Sequence, residues 1–473
     1  MTGKALAVSF LPLCILTSHA ATGITAGSLG IMPDPTTPNT RVIQEAINLT
    51  ASRADTLVFG KGTYVIGSLS LPDNAHIHLE EGALLLGSTD PYDYNGYADT
   101  IKNSVAGLIG AHGSKNISIT GPGAIDGRGL EVALAIDSLH HTGTRRDPKY
   151  SLRRMRPSLR PKLIDFNGVD NLLIEDVRLA GSAAWGLSLD KCTNVKICGI
   201  DFTNRAYWNN DGIDIADCKN VIVKDCNINS ADDGIVLKSF DPTDRNENIR
   251  IENCTIRSSA SAVKFGTESF GGFKNVRISD ITVRDTYRSA IALETVDGAV
   301  LEDVVVDGID ALNTGNAIFI RLGHRRGEHP GALRNVTIRN LTCEIPQGRP
   351  DMDYDLRGPD INVIHNPFPS SITGIPGAKV ENISLENISI TYPGRATKGM
   401  GYIGSYRYGD VPEAIADYPE FHMFGELPSW AFYLRHIDGI KFDNVKVNLR
   451  ENDYRPAVVS EDVNNMTGFP TTE

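Results

Sequence analysis

Two short phrases of this sequence hold four aspartates: Asn209-Asn210-Asp211-Gly212-Ile213-Asp214 and Ala231-Asp232-Asp233-Gly234. Asp211 and Asp232 lie 21 residues apart. On parallel strands of successive coils, that spacing stacks the two phrases about 5 Å apart. Like charges that close raise at least one pKa and cost stability, which a purely structural design avoids. The chemistry that fits is glycoside hydrolysis. One protonated carboxyl donates to the leaving oxygen while a pair of carboxylates deprotonates a water on the opposite face. Two other uses of the same residues stay open, a calcium site and a ladder of Asx turns.

The elements that must position these residues are repeats. A phrase of Asn, aliphatic, any residue, aliphatic recurs from Asn116, Asn171, Asn194, Asn220, Asn248, Asn275, Asn335 and Asn382. From Asn171 to Asn275 the steps are 23, 26, 28 and 27 residues. Each unit holds period-2 strands broken by Gly, Asn or Asp, with no convincing helix between them. Propeller units are longer and four-stranded, and a leucine-rich repeat has a helical half. The pattern therefore predicts an all-β fold, a single-stranded right-handed parallel β-helix that buries one continuous aliphatic column. The steps of 60 and 47 residues around Asn335 are expected to be coils carrying loop insertions. A short N-terminal capping helix is expected over 37–55, capped by Asn39 or Thr40, with Ile43, Ala46, Ile47 and Thr50 on one face. The domain is expected to span 21–453, followed by a polar and poorly ordered tail over 454–473.

Lys4, the apolar run Ala5 to Leu16 and the small residues around Ala20 read as a secretory signal over 1–20. That run is too short to cross a bilayer, so the protein is expected to be secreted, extracellular or periplasmic, with no membrane span. Lys and Arg number 46 against 58 Asp and Glu, a net charge of −12. Such a balance argues against a general nucleic-acid binder. A monomer is expected. Six cysteines follow the signal, and their matching places in successive repeats favour stacked, buried, free thiols over disulfides.

At the aspartate phrases the sequence resembles glycoside hydrolase family 28, the polygalacturonase family of pectin-degrading β-helices. Ile43-Gln44 through Tyr64, the turn Gly121-Pro-Gly-Ala-Ile-Asp126-Gly127, and Arg160-Pro161 through Trp185 extend the likeness over most of 37–300. The resemblance implies that Asp232 is the general acid. Asp211 and Asp233 would position and activate water, giving inversion at the anomeric carbon. It implies no cofactor and no metal, and a pectic or related acidic polysaccharide as substrate.

The sequence departs from the family where Gly-His-Gly and Arg-x-Lys are usual. It carries Ala260-Ser261-Ala262 and Ala292-Leu293-Glu294 instead, so the two cations that hold a galacturonate carboxylate are missing and the sugar preference is expected to differ. If Asp211, Asp233, Ser261 and Ser289 share a column, Asp214, Val236, Lys264 and Ala292 form another, with Lys238 and Glu294 two residues beyond. Lys264 then either supplies the missing charge or pairs with Asp214 or Glu294. Further candidates for substrate binding are Asn209, Trp208, Arg288 and Arg321. The basic stretch 145–162 either attracts a polyanionic glycan or forms an ion-paired loop. Tyr418, Phe421, Phe424 and Trp430 mark an aromatic-rich insertion expected to wall one end of the cleft. Two competing functions remain. One is a polysaccharide lyase with Lys264 or Arg288 as base, and the other is a glycan-binding solenoid without activity.

Overall fold

The computed structural model describes residues 23–152, 155–348, 350–351, 368–401 and 409–472. The expected signal over 1–20, and Arg153 and Arg154 of the basic stretch, lie outside the described residues. The chain winds into a right-handed parallel β-helix whose coils each contribute one strand to three parallel sheets. The coil Ile164–Asn167, Asp170–Glu175, Arg178–Ala180 is typical. Each of its strands pairs in parallel with the equivalent strand one coil later.

Alternation in these strands aims every second residue inward, and the parallel register stacks like on like. Leu172, Val195, Val221, Ile249, Val276, Val304 and Val336 stand in one such column. All are buried in a single aliphatic core running the length of the helix. The recurring Asn has a backbone reason. Asn116, Asn171, Asn194, Asn220, Asn248, Asn275, Asn335 and Asn382 all adopt left-handed φ between 52° and 65°. Only Gly, Asn and Asp reach that region at low cost. The asparagine side chains then bond coil to coil: Asn220 Nδ2 donates to Asn194 Oδ1 at 3.1 Å, and Asn248 Nδ2 to Asn220 Oδ1 at 3.1 Å.

Four expectations need correcting. The 60-residue step is two ordinary coils, because Asp303, with φ 59°, takes the asparagine position and accepts from Asn335. The step to Asn382 does carry an insertion. A second helix, α2, at Gly129–His141, follows the strand Ala124–Asp126, where no helix was expected. The polar tail is ordered at Val458–Thr467, which pairs in parallel with Phe432–Leu449 as a last rung. Its backbone ladder holds it although its side chains bury little. The first helix, α1, at Thr40–Ala51, buries Ile43, Ala46, Ile47, Thr50 and Ala51 against the first coils. Asn39 stands at its N-cap without a side-chain bond, and the Thr40 hydroxyl instead accepts from the Gly67 N–H at 2.7 Å. All six cysteines described are free thiols, and all but Cys198 are buried. Among the described residues no helix is long and apolar enough to cross a membrane.

Candidate active site

The residues that could do chemistry sit on the first sheet of the coil, at the turn entering each strand. Asp211 precedes the strand Ile213–Ala216, and Asp232 and Asp233 precede Ile235–Ser239. The glycine after each is dictated by packing between coils. A Cβ on Gly212 would stand 2.4 Å from Gly234 O, and one on Gly234 would stand 2.5 Å from the Ile256 side chain. Without that close approach the carboxylates would not stack. Buried amides and hydroxyls fix the turns. Asn204 Nδ2 donates to Asp211 O at 2.7 Å, Asn210 Nδ2 donates to Ser182 O and Ala184 O, and Ser230 and Ser258 Oγ both donate to Asp232 O at 2.7 Å.

Carboxylate oxygens of Asp211, Asp232 and Asp233 converge within 4.8 Å of one another. Asp211 and Asp233 are buried, whereas Asp232 is partly exposed. Lys238 Nζ donates to Asp211 Oδ2 at 3.0 Å and also to Asp214 Oδ1. Burial pushes the Asp211 carboxyl well above the usual carboxylate range, and Lys238 only partly offsets it. Asp214 is raised by burial in the same way. Asp233 moves in the opposite direction. Burial works to raise it, but Lys264, Arg288, Lys238 and the Ser261 N–H outweigh that and hold it below the ordinary value. Asp211 Oδ1 is buried with no protein partner. A hard cation is the other occupant such a trio suits. Here Lys238 and Lys264 already bring positive charge to Asp211 and Asp233.

The registers are those that strand alternation suggested. Asp214, Val236, Lys264 and Ala292 are mutual neighbours across four coils. Lys264 Nζ lies 3.4 Å from Asp233, 3.8 Å from Glu420 and 3.9 Å from Glu294, and it does not pair with Asp214. Burial works against its charge, yet Asp233, Glu294, Tyr418 and Glu420 hold its pKa well above normal. Burial raises Glu294 well above its usual range, and Lys264 lowers it only in part. Ser261 contributes its backbone N–H to Asp233 Oδ1 at 3.1 Å. Arg288 donates to Glu420, which no sequence argument singled out. The signal available was an acid placed between Tyr418 and Phe421 in the aromatic insertion. Trp185 was also overlooked as a site residue. Its ring lies 4.4 Å from Lys238 Nζ and 5.0 Å from Lys162 Nζ.

Other candidates do structural work. Arg321 is buried, and its guanidinium donates to Thr373 Oγ1, Gly374 O, Glu413 O and Ala414 O, so it ties down a loop and has little left for a sugar. Trp208 packs against the core, and its carbonyl accepts from Arg160. Asn209 Oδ1 accepts from Arg160 Nη2 at 3.1 Å, which orients the turn before Asp211. The basic stretch is in part internal: Arg145 and Arg160 are both buried against backbone carbonyls.

Residues 95–344, more than half of the chain, match the family model described as Glycosyl hydrolases family 28. The chain is 24% identical over 416 residues to a probable polygalacturonase of Vitis vinifera, covering 80% of this chain and 76% of that protein. It is 25% identical over 324 residues to an endo-polygalacturonase of Pectobacterium carotovorum subsp. carotovorum, covering 64% and 77%. A solved family 28 exopolygalacturonase of Yersinia enterocolitica superposes with a TM-score of 0.69 at 18% identity, covering 94% and 78%. That last likeness concerns the fold.

Proposed function

The chain belongs to glycosyl hydrolase family 28, and we propose that it is a secreted, inverting, polygalacturonase-type hydrolase whose catalytic groups are Asp211, Asp232 and Asp233. The observation that carries this reading is the convergence of three carboxylates in different environments. Asp232 is partly exposed and donates its proton to the leaving oxygen. Asp233 is held as the anion, and Asp211 beside it keeps one oxygen without a protein partner. Asp233, the anion, takes the proton of the attacking water, and Asp211 helps to hold that water in place.

The separation of the carboxyls is shorter than the roughly 6.5–9.5 Å of most inverting enzymes. Inversion is still the better reading, because a retaining mechanism needs an unencumbered carboxylate as nucleophile. The Ser261 N–H on Asp233 Oδ1 and the Lys264 charge beside it make Asp233 a weak nucleophile while leaving Oδ2 able to accept a proton, and Asp211 is pushed toward its neutral form. The water then sits beside the Asp211–Asp233 pair, outside the line between acid and base.

The sugar preference is altered toward residues without a carboxylate next to the scissile bond. Lys238, Lys264 and Arg288 are each committed to carboxylates of the protein, and Ala292 and Glu294 bring no cation. A uronate at that position has to compete with these carboxylates for the three cations. The same commitments argue against a lyase. Lys264 is held charged by its acidic neighbours, and Arg288 is likewise raised by Glu420, Asp232 and Asp233 against the effect of burial. Neither serves as a base near neutral pH.

The test is proton NMR of the first-formed anomer, with initial rates compared on polygalacturonan and rhamnogalacturonan. A first product of inverted configuration, formed faster on the polymer with alternating neutral sugars, supports the reading. A retained anomer removes the water-pair mechanism, and a strict preference for polygalacturonan removes the altered preference. Sequencing the N-terminus of the exported protein tests secretion: cleavage near Ala20 is expected, and an intact Met1 contradicts it.

A further inference from the structure

The outward face of the first sheet changes character along the helix axis. Continuing the column Asp214, Val236, Lys264, Ala292, the next members are Phe319, Ser371, Tyr433 and Val459. The column is buried throughout, Asp214, Val236 and Lys264 included, but from Ala292 onward its cover is apolar. Ala292 and Phe319 lie under Phe368 and Phe421, and Tyr433 and Val459 lie under Val411, Phe424 and Leu427. The cover is the segment 411–431. Arg321 bonds its Glu413 and Ala414 carbonyls at 2.8 and 2.9 Å, the His324 N–H bonds Ile415 O at 2.8 Å, and Arg435 bonds Val411 O at 2.9 Å. It ends against the catalytic group: Glu420 pairs with Arg288 and stands 3.8 Å from Lys264, which in turn is 3.4 Å from Asp233. The Tyr418 ring is 5.6 Å from the same Lys264.

The opposite side is different. Trp185 and Asp190, one coil before the aspartates, and Lys162 and Asp165, one coil earlier still, are all partly exposed, and among the described residues no separate apolar cluster covers them. A polymer threading the cleft from both sides would have to displace an apolar patch and the pair of buried Glu420 with partly exposed Arg288.

We propose that the segment 411–431 closes the cleft beside Asp233, so that the protein cleaves glycans from a chain end, with Glu420 as the residue that sets the wall. This rests on the hydrolase reading above. A terminal sugar stops against the wall formed by Glu420, Arg288 and the exposed Tyr418 ring, and the rest of the chain leaves over Trp185. Glu420 is a positioning residue. It acts by holding Arg288 and Lys264 and by stopping the chain, without touching the proton in flight.

The experiment follows product sizes and solution viscosity together, on polygalacturonan and rhamnogalacturonan and on oligosaccharides of each. The wild-type protein and the Glu420→Ala and Glu420→Gln variants are compared. The expected wild-type result is one smallest product from the first time points, with viscosity nearly constant as reducing ends accumulate. Glu420→Ala should raise the share of longer products several-fold and raise KM for short oligosaccharides, with Glu420→Gln falling between. An early ladder of intermediate oligomers from the wild-type protein overturns the inference while leaving the hydrolase reading standing. A product profile unchanged in both folded variants removes Glu420 as the wall. Failure to cleave any of the four substrates overturns the hydrolase reading, and this inference with it.

Discussion

On one turn of the coil Asn194, Asn220, Asn248 and Asn275 stand above one another, and on another Asp211 and Asp233 do the same. In the first stack each amide donates to the one below, at 3.1, 3.1 and 2.6 Å, and the lowest, Asn194, donates to Asp170 Oδ1 at 2.8 Å, so no two like charges meet. Every residue added to the stack extends a satisfied chain. In the second, like charges are buried side by side, an oxygen of Asp211 is left without a partner, and two lysines are drawn in to neutralise the cluster. The same coil geometry thus yields a stabilising ladder when the side chain is a neutral amide and a strained one when it is a carboxylate. On the proposed function, this costly stack in an otherwise regular solenoid is the place where stability is given up for chemistry.

Four substitutions break or sharpen that contrast. The largest expected effect is on turnover: Asp232→Asn should lower kcat by about 10²–10⁴-fold, the range for losing a general acid, with an unchanged melting temperature. Assays of reducing ends beside a thermal melt would show it, and near-normal turnover in a folded variant would unseat Asp232. Asp211→Asn should abolish activity to a similar degree while making the protein more stable at neutral pH, by about 0.5–2 kcal/mol. The sign follows from its raised pKa. The native state favours the protonated carboxyl, so wild-type stability is complete below the unfolded pKa and is lost as pH rises through the folded one. The gain in the variant should therefore vanish in acid. Denaturation curves at both pH values decide it, and destabilisation at neutral pH would speak against the strained-stack interpretation.

Asn220→Ala should behave in the reverse manner. It loses bonds to Asn194 and Asn248 and forces a Cβ-bearing, non-amide residue into φ 57°, together costing about 2 kcal/mol. Its kcat should match wild type; a comparable loss of turnover would mean that the ladder and the site are coupled. The smallest effect is a displaced pH profile. Removing the Lys238 charge in Lys238→Met takes away what lowers the Asp211 pKa, so Asp211 stays protonated to higher pH and the acidic limb of kcat/KM shifts upward. A limb that stays in place would indicate that another group sets it.

Much of this was legible in the sequence because the relevant physics is local and repeated. The left-handed turn demands Asn at a fixed point in each coil, and close coil packing demands Gly after Asp211 and Asp233. Register and the column Asp214–Val236–Lys264–Ala292 follow by counting. What escaped was set by contacts distant in sequence. Asp303 hid a coil because Asp replaces Asn at the turn without changing its backbone role. α2 was obscured by the expectation of pure strand. Glu420 reaches Arg288 across 132 residues, so no periodicity connects them. Arg321 looked like a cleft residue because it ends a strand on the right sheet, yet four acceptors of neighbouring coils and of the 411–431 segment occupy it.

The central claim is that the aspartate trio hydrolyses a glycosidic bond. Its most direct test incubates the protein and its Asp232→Asn variant with polygalacturonan and rhamnogalacturonan, reading reducing ends and ultraviolet absorbance in the same samples. New reducing ends without absorbance from the wild-type protein, and neither from the variant, are the predicted result. Absorbing, unsaturated products, or reducing ends formed equally by a folded Asp232→Asn protein, would contradict it.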